Sequence, residues 1–507
     1  MVIGNLERLS DVEKLSAHVT RLLGQNPGLM TLQGTNSYLL QPPSNPHAPL
    51  ILIDTSSPHT ATQYIDLLMT HLHHLALESG TRETHFESAY AQASLKNLPE
   101  DKVDEVKASI VENRSKDPRH TEIELLEYGP GSGWKSTYTK ERKLPNIDHI
   151  ILTHRHLDHV GALPLLLKTL KEKGCNIPKI WKLPSPDEEQ LALNEKDRPT
   201  SDAEIWNSLP KGTYHSFSPF QPFHPIIPGL MISIIDPVYK HLLRHDKDGR
   251  PKWNEVPEIA RVSLRCLKTP GHTQDSISLV MLEGEKGVFT GDTVLGSGTT
   301  HFSDLASYMT SLRTLLALKP NVLYPAHGPH IAKAEKAKAH LQNYITHRQQ
   351  REDEILSILQ KSAEGNDGKT VVDTIIEMKI QLHQKLEEEN DAKGPLMFDR
   401  RKPKKLSDNP FEDERKALEK AEQDGSRPAK ALPLSVLVRI LYKSEDEKLL
   451  TAAGKNVVAH LVKLEQEGKV RKLTGKWCKL IAGTVGEKLE DIEVWEYIGE
   501  KEHMKVE

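Results

Sequence analysis

Between Thr153 and His159 the chain reads Thr-His-Arg-His-Leu-Asp-His, which places four side chains of metal-ligand type, His154, His156, Asp158 and His159, within six positions. Imidazole nitrogen and carboxylate oxygen are the donors that zinc and related divalent ions take at neutral pH, and one ion needs three or four of them. A histidine-rich surface loop is the plain alternative. Three further candidates stand alone: His272 in TPGHT, Asp292 in FTGD and His327 in YPAHG. Each by itself reads as a turn or cap residue. Joined to the first string they make a set large enough for two ions, expected to be zinc. A pair of such ions lowers the pKa of a shared water towards neutrality, so the chemistry expected is hydrolysis.

Such a set works only where strand ends deliver it. IDHIIL stops just before Thr153, and RVSLRCLKTPGH, GVFTGD and NVLYPAHG are β-like runs that each end in a His or an Asp. Gly271, Gly291 and Gly328 allow the sharp turns that would point those side chains at a metal. NSYLL and PLILIDT read as strands, the second delivering Asp54, which is expected to support a ligating histidine from behind. An amphipathic helix is expected after Gly161, and a long helix after Ile331. His330 reads as a loop residue, and His71, His73 and His74 as helix surface. The Gly296–Thr300 loop, GSGTT, reads either as a cradle for a phosphate or acyl oxygen or as a plain connection.

The pattern HxHxDH followed by separate His, Asp and His resembles the metallo-β-lactamase superfamily. The resemblance implies an α/β fold, an αββα sandwich of two mixed sheets with outer helices. It also implies one ion on His154, His156 and His272, a second on Asp158, His159 and His327, and Asp292 bridging them, with Asp158 orienting the attacking water. LLGQNPGLMTLQGTNSYLL, TPGHTQDSISL, GDTVLGSGTTHFSDLASYMTSL and NYITHRQQRE look like the lactamase-beta-like endoribonuclease branch of the glyoxalase II-like group. That branch ends in a winged-helix-like module, which LVRILYK and KNVVAHLVKLEQEGKV resemble. Arg155 and Leu157 depart from the branch, which more often has Trp and Arg there, and Ala162 replaces a common Gly.

On this reading residues 1–348 form the metallo-β-lactamase domain with an insertion at about 72–145. Residues 349–430 are a helix and charged linker, 431–482 the winged-helix-like module, and 483–507 an acidic tail. The expected substrate is single-stranded RNA; Lys455, Lys463, Lys469, Arg471, Lys472, Lys476 and Lys479 with Trp477 read either as a patch that tracks its phosphate backbone or as a solvated face diluted by Glu465 and Glu467. The alternatives are an acyl thioester, since fungal acyl-carrier thioesterases resemble the GxGTT region, and a non-catalytic protein stabilised by its metals. The whole chain, 507 residues with a formal net charge of −4, is not basic enough to mark a nucleic-acid binder by composition. Its three cysteines, Cys175, Cys266 and Cys478, are too scattered for a disulfide framework or a disulfide-linked partner, and no apolar run is long enough to cross a membrane. A cytoplasmic or mitochondrial matrix location is expected.

Overall fold

The computed structural model describes residues 8–78, 126–129, 133–136, 144–185, 201–364, 430–442, 447–481 and 484–499, with a few single positions between 376 and 425. They divide into two units, residues 1–300 with 307–342 and residues 301–306 with 343–507.

In the first unit, β1 (Val12–Lys14), β2 (Val19–Leu23), β3 (Asn36–Leu40) and β4 (Leu50–Ile53) run antiparallel in sequence. Helix α1 (Ala61–Glu78) follows, and β5 (Leu126–Gly129) and β6 (Gly133–Ser136) form a separate ribbon. Then β7 (Ile147–Leu152) returns parallel to β4, and β8 (Lys179–Lys182) and β9 (His224–Pro225) extend the sheet in the same sense. Between β7 and β9 lie the short α2 (Leu157–Val160), α3 (Leu163–Glu172) and α4 (Asp202–Asn207). The second sheet runs in chain order through β10 (Met231–Ile235), β11 (Arg261–Lys268), β12 (Ile277–Met281), β13 (Gly287–Gly291), β14 (Val322–Pro325) and β15 (Ile331–Ala332). Only its β13–β14 pair is parallel, the two being joined through α5 (Leu305–Ala317).

The alternation of side chains along a strand explains the layers. Leu50, Leu52, Ile150 and Leu152 point outward and pack with Tyr64, Leu68 and Leu72 of α1 and Leu163, Leu166 and Leu170 of α3. Their neighbours Ile51, Ile53 and Ile151 point inward and meet Val262, Leu264, Leu279 and Phe289 of the second sheet. Tyr38, Phe289 and Tyr324 close this inner layer, with ring centroids 4.8–5.6 Å apart. Buried residues of α1 recur at 61, 64, 65, 68, 69, 72 and 76, the apolar stripe of one helix face. The helix therefore runs past position 72, where an insertion was expected to begin, and residues 79–125 lie outside the described ones. His71, His73 and His74 are half-buried on α1. The aromatic string after His215 is a surface turn, with Phe220 90% exposed.

Helix α6 (Ala334–Glu364) passes from the first unit into the second and is the long helix expected after Ile331. Most of 365–430 lies outside the described residues. In the second unit, β16 (Leu432–Pro433), α7 (Leu434–Tyr442), α8 (Glu447–Gln466), β17 (Val470–Leu473), β18 (Lys476–Ile481), β19 (Thr484–Asp491) and β20 (Val494–Tyr497) follow in order. β20 lies between β16 and β17, and β18 and β19 form a hairpin. The stretch 483–507, expected as an acidic tail, thus supplies two strands, and its Trp495 is 1% exposed in a core with Ile355, Leu359, Leu437, Val457 and Leu461.

Glu352 of α6 joins that core as a carboxylate. Lys463 Nζ donates to it at 2.7 Å, and His460 Nδ1 lies 3.9 Å away. Burial raises its pKa, but the nearby His460 and the Lys463 ammonium that donates to it outweigh this and hold it below the ordinary value. A depressed carboxylate pKa gives stability that is present above the unfolded-state value and lost as the pH falls through the folded one. Glu352→Gln should cost roughly 2 kcal/mol at neutral pH. In urea titrations of the wild type and variant, that difference should shrink below about pH 4; a constant difference refutes it.

Candidate metal centre

β7 ends at Leu152, and the next residues turn away from the sheet so that His154 and His156 lead into α2, whose first turn carries Asp158 and His159. His272 follows β11, Asp292 directly follows β13, and His327 follows β14. Gly271 (φ +132°) and Gly291 (φ +52°) bend the chain just before a ligand. At Gly271 a Cβ would lie 2.4 Å from Tyr308 Cα, so no other residue fits there without displacing α5.

All seven expected side chains come together in two groups, His154, His156, His272 and Asp292 in one, Asp158, His159 and His327 in the other; within each, the ligand atoms lie within 4.8 Å of one another. In the first group His156 Nδ1 lies 3.0 Å from both His154 Nε2 and His272 Nε2. Asp292 faces both groups. Its Oδ2 is 3.4 Å from His272 Nε2, while its Oδ1 is 3.2 Å from His327 Nε2 and 3.6 Å from His159 Nε2. Asp158 Oδ2 lies 3.2 Å from His159 Nε2 and 3.3 Å from His327 Nε2. His330 belongs to neither group.

Behind these side chains stands a ring of hydrogen bonds. Asp54, held at φ +58°, accepts from the Thr153 backbone N–H and hydroxyl, both at 2.7 Å, and its Oδ2 lies 2.9 Å from His159 Nδ1. The same Thr153 hydroxyl lies 3.0 Å from His154 Nδ1. One carboxylate therefore orients a histidine of each group, the part expected of Asp54. Thr300 Oγ1 lies 3.2 Å from His272 Nδ1, and Gly296 N–H donates to the His327 carbonyl at 2.7 Å. The GSGTT loop is thus tied to two of the histidines.

Thr35 and Asn26 escaped the sequence reading. Thr35 Oγ1 donates to Asp158 Oδ2 at 3.2 Å, and Asn26 accepts from Thr35 N–H and donates to Thr35 Oγ1 and Ser57 Oγ. Both lie in the LLGQNPGLMTLQGTNSYLL string that carries the family resemblance, but nothing in their residue type or spacing marked them.

Charge and burial suit a cation. Burial, reinforced by the neighbouring imidazoles, holds His154 well below its ordinary pKa and His156 at about 4, so both offer lone pairs. Burial opposes ionisation of Asp158 and Asp292 too, yet their histidine neighbours keep both well below the usual carboxylate range. At His159 and His327 burial opposes the charge, but the carboxylates override it, raising His327 to about 9. These acids attract positive charge into the site. His159 Nε2 and Asp292 Oδ1 are buried and make no hydrogen bond, and an ion between the groups would satisfy them. Nitrogens about 2 Å from a tetrahedral zinc are roughly 3.3 Å apart, close to the spacing of the three ring nitrogens in the first group. The donor set fits a divalent ion of the zinc class.

The basic patch expected in the second unit is mostly spent on internal pairs. Lys463 binds Glu352 and Glu467, Lys469 binds Glu467, Arg471 binds Glu496, and Lys472 lies 3.3 Å from Glu493. The side chains of Trp477 and Lys479 lie outside the described residues. Cys266 is a buried free thiol, and among the described residues no helix is long and apolar enough to cross a membrane.

The metallo-beta-lactamase superfamily model matches residues 128–327, and the beta-lactamase associated winged helix domain matches 434–477. A "Beta-lactamase-like protein 2 homolog" of Drosophila melanogaster is 26% identical over 461 residues, covering 91% of this chain and 92% of that protein. Its Caenorhabditis elegans namesake is 28% identical over 360 residues, 71% of this chain and 77% of the relative. An "Atrochrysone carboxyl ACP thioesterase" of Aspergillus fumigatus is 26% identical over 353 residues, 69% of this chain and 68% of the relative. With two mixed sheets packed face to face and the ligand-type residues gathered at their strand ends, the first unit is the αββα sandwich of the metallo-β-lactamase superfamily, followed in this chain by the winged helix domain associated with it.

Proposed function

We propose that this superfamily hydrolase cleaves an acyl thioester, with His154, His156 and His272 holding one zinc ion, Asp158, His159 and His327 a second, and Asp292 bridging both. The observation that carries the choice of substrate is a set of exposed apolar side chains close in the chain to residues of the centre. Leu157, between His156 and Asp158, is 52% exposed, and Leu29 and Met30 are 74% and 72% exposed on the turn that Asn26 and Thr35 connect to Asp158. Arg155, the basic residue of the ligand string, is buried and faces Asp275 instead. The Aspergillus fumigatus relative is named as a thioesterase.

A bound divalent pair supplies Lewis acidity and a water that ionises near neutral pH. The chain's own residues do the rest. Asp158 has 23% of its side chain exposed against 10% for Asp292, so it is the carboxylate that water reaches. Held by Thr35 and the two histidines, it orients the water and takes its proton. The water oxygen bonds to the thioester carbonyl carbon, the C–S bond breaks, and the proton taken from the water passes to the departing sulfur, leaving a carboxylic acid and a thiol. Leu157, Leu29 and Met30 would receive the acyl chain.

A second reading, an endoribonuclease on single-stranded RNA, is favoured by the winged helix domain, which a small acyl substrate does not need. Purified protein is given an acyl-N-acetylcysteamine thioester and a labelled RNA in parallel, beside His156→Ala and Asp158→Ala, with zinc measured on each sample. Thiol release lost in both variants, with RNA intact, is expected. A double change, Leu29→Ser with Met30→Ser, should lower kcat/KM for a long acyl chain about tenfold and leave acetyl nearly unaffected. RNA cleavage without thiol release would replace this reading with the second.

A further inference from the structure

Three charged side chains beside the centre are buried as deeply as its ligands: Arg155 is 3%, Lys182 1% and Asp275 0% exposed. None is needed to bind an ion. Asp275 Oδ2 accepts from Lys182 Nζ at 2.6 Å, and its Oδ1 lies 3.7 Å from Arg155 Nε. Lys182 also donates to the Leu183 carbonyl at 3.0 Å and Ser185 Oγ at 3.1 Å, and lies 2.7 Å from Asp202 Oδ1. Its ammonium is therefore a fixed point at the end of β8.

The places of these residues in the chain are what matter. Lys182 is paired in register with Leu152, the last residue of β7, and Arg155 stands between His154 and His156 just beyond that strand. Asp275 belongs to the other sheet, in the turn that follows β11 and carries His272; that turn is closed by Thr269 N–H to the Ser276 carbonyl at 2.9 Å. Asp275 thus ties a loop of one sheet to a strand end of the other by a hydrogen bond, and faces the guanidinium of that sheet's ligand loop as an ion pair. We propose that Arg155, Lys182 and Asp275 are positioning residues that set the spacing of His154, His156 and His272 for the ion they hold. Burying a salt bridge is a poor way to stabilise a fold, because desolvation offsets most of the attraction and apolar residues of similar volume do as well or better. What a rigid, directional pair adds is geometry: supporting partners of metal ligands commonly govern affinity by one to two orders of magnitude. The inference rests on the metal-site reading above.

Cobalt(II) tests it, since its visible absorption reports the ligand geometry at each site. The full-length protein, stripped of metal, is titrated with cobalt beside Asp275→Asn, Arg155→Met and Lys182→Arg, with thermal unfolding of each metal-free sample recorded. Asp275→Asn should weaken one of two equivalents by about 10- to 100-fold and alter its spectrum, while the other equivalent, on Asp158, His159 and His327, keeps its affinity. Lys182→Arg, which retains the charge facing Asp275, should keep most of the wild-type affinity. Should Asp275→Asn fail to fold, Arg155→Met, which leaves the 2.6 Å Lys182–Asp275 bond in place, should still show about a tenfold loss at the same site. Wild-type affinity and spectrum at both sites in a folded Asp275→Asn or Arg155→Met protein overturns the proposal, as does an equal loss at both sites that follows the fall in metal-free stability. If the unaltered chain takes up no cobalt, the metal reading fails and this inference with it.

Discussion

Asp292→Ala should cut hydrolysis by about a thousandfold and leave the protein with fewer than two bound ions, measured by thiol release and elemental analysis on the same preparation. Asp292 is the side chain that faces both donor groups, with one oxygen towards His272 and the other towards His327 and His159. Removing it takes a donor from each group and half of the negative charge that would offset two divalent ions there. Loss of a single histidine touches one group; loss of Asp292 takes away the carboxylate that faces both. Full activity with two ions retained would remove Asp292 from the centre and require another bridge.

Asp54→Ala is the change expected to cost the most stability. Asp54 is 1% exposed and serves three groups at once, the Thr153 N–H, the Thr153 hydroxyl and His159. Alanine leaves the buried N–H without an acceptor and cuts both threads to the histidines, at about 1–3 kcal/mol for each unsatisfied group. It also forces a Cβ residue without a polar side chain to hold φ +58°, a conformation that Asp and Asn tolerate better. A loss of roughly 4 kcal/mol is expected in chemical denaturation of the metal-free protein, together with a 10- to 100-fold loss of metal affinity. Asp54→Asn should recover much of the stability, since its carbonyl can still accept from Thr153, but less of the affinity, since His159 loses its charged partner. Equal stability of the wild type and Asp54→Ala would show that Thr153 finds another acceptor.

The centre was legible in the sequence because metal chemistry admits few side-chain types and because β-strands announce their ends. IDHIIL, RVSLRCLK, GVFTG and NVLYP all became strands that stop within a few residues of a ligand. Asp54 could be foreseen because a carboxylate at the end of an apolar run has few reasons to be there. Thr35, Asn26 and Thr300 could not, since a threonine or asparagine near a turn is ordinary and only the third dimension brings it against Asp158 or His272. The network of Lys182 and Asp275 was hidden for the same reason. In the second unit charge did not show its partners. Basic residues read as a surface for RNA pair with glutamates, Lys463 with Glu352, Lys469 with Glu467, Lys472 with Glu493 and Arg471 with Glu496, and the acidic Glu493 and Glu496, read as part of a tail, flank the buried Val494 and Trp495 of a central strand. Composition counts charges without saying which are neighbours.

In each donor group, histidines from the loop after β7 meet residues from the second sheet, and His156 and His272, 116 positions apart in the chain, touch through their ring nitrogens. An ion held there is a reversible cross-link between the two sheets, closing a loop of chain as a disulfide would but without any oxidant. Its strength is set by supply: with an ion bound only by the folded state, each tenfold rise in free ion above the dissociation constant adds about 1.4 kcal/mol of stability per site. The fold's resistance to unfolding would then track the metal its surroundings provide, so that scarcity lowers the protein's lifetime as well as its activity.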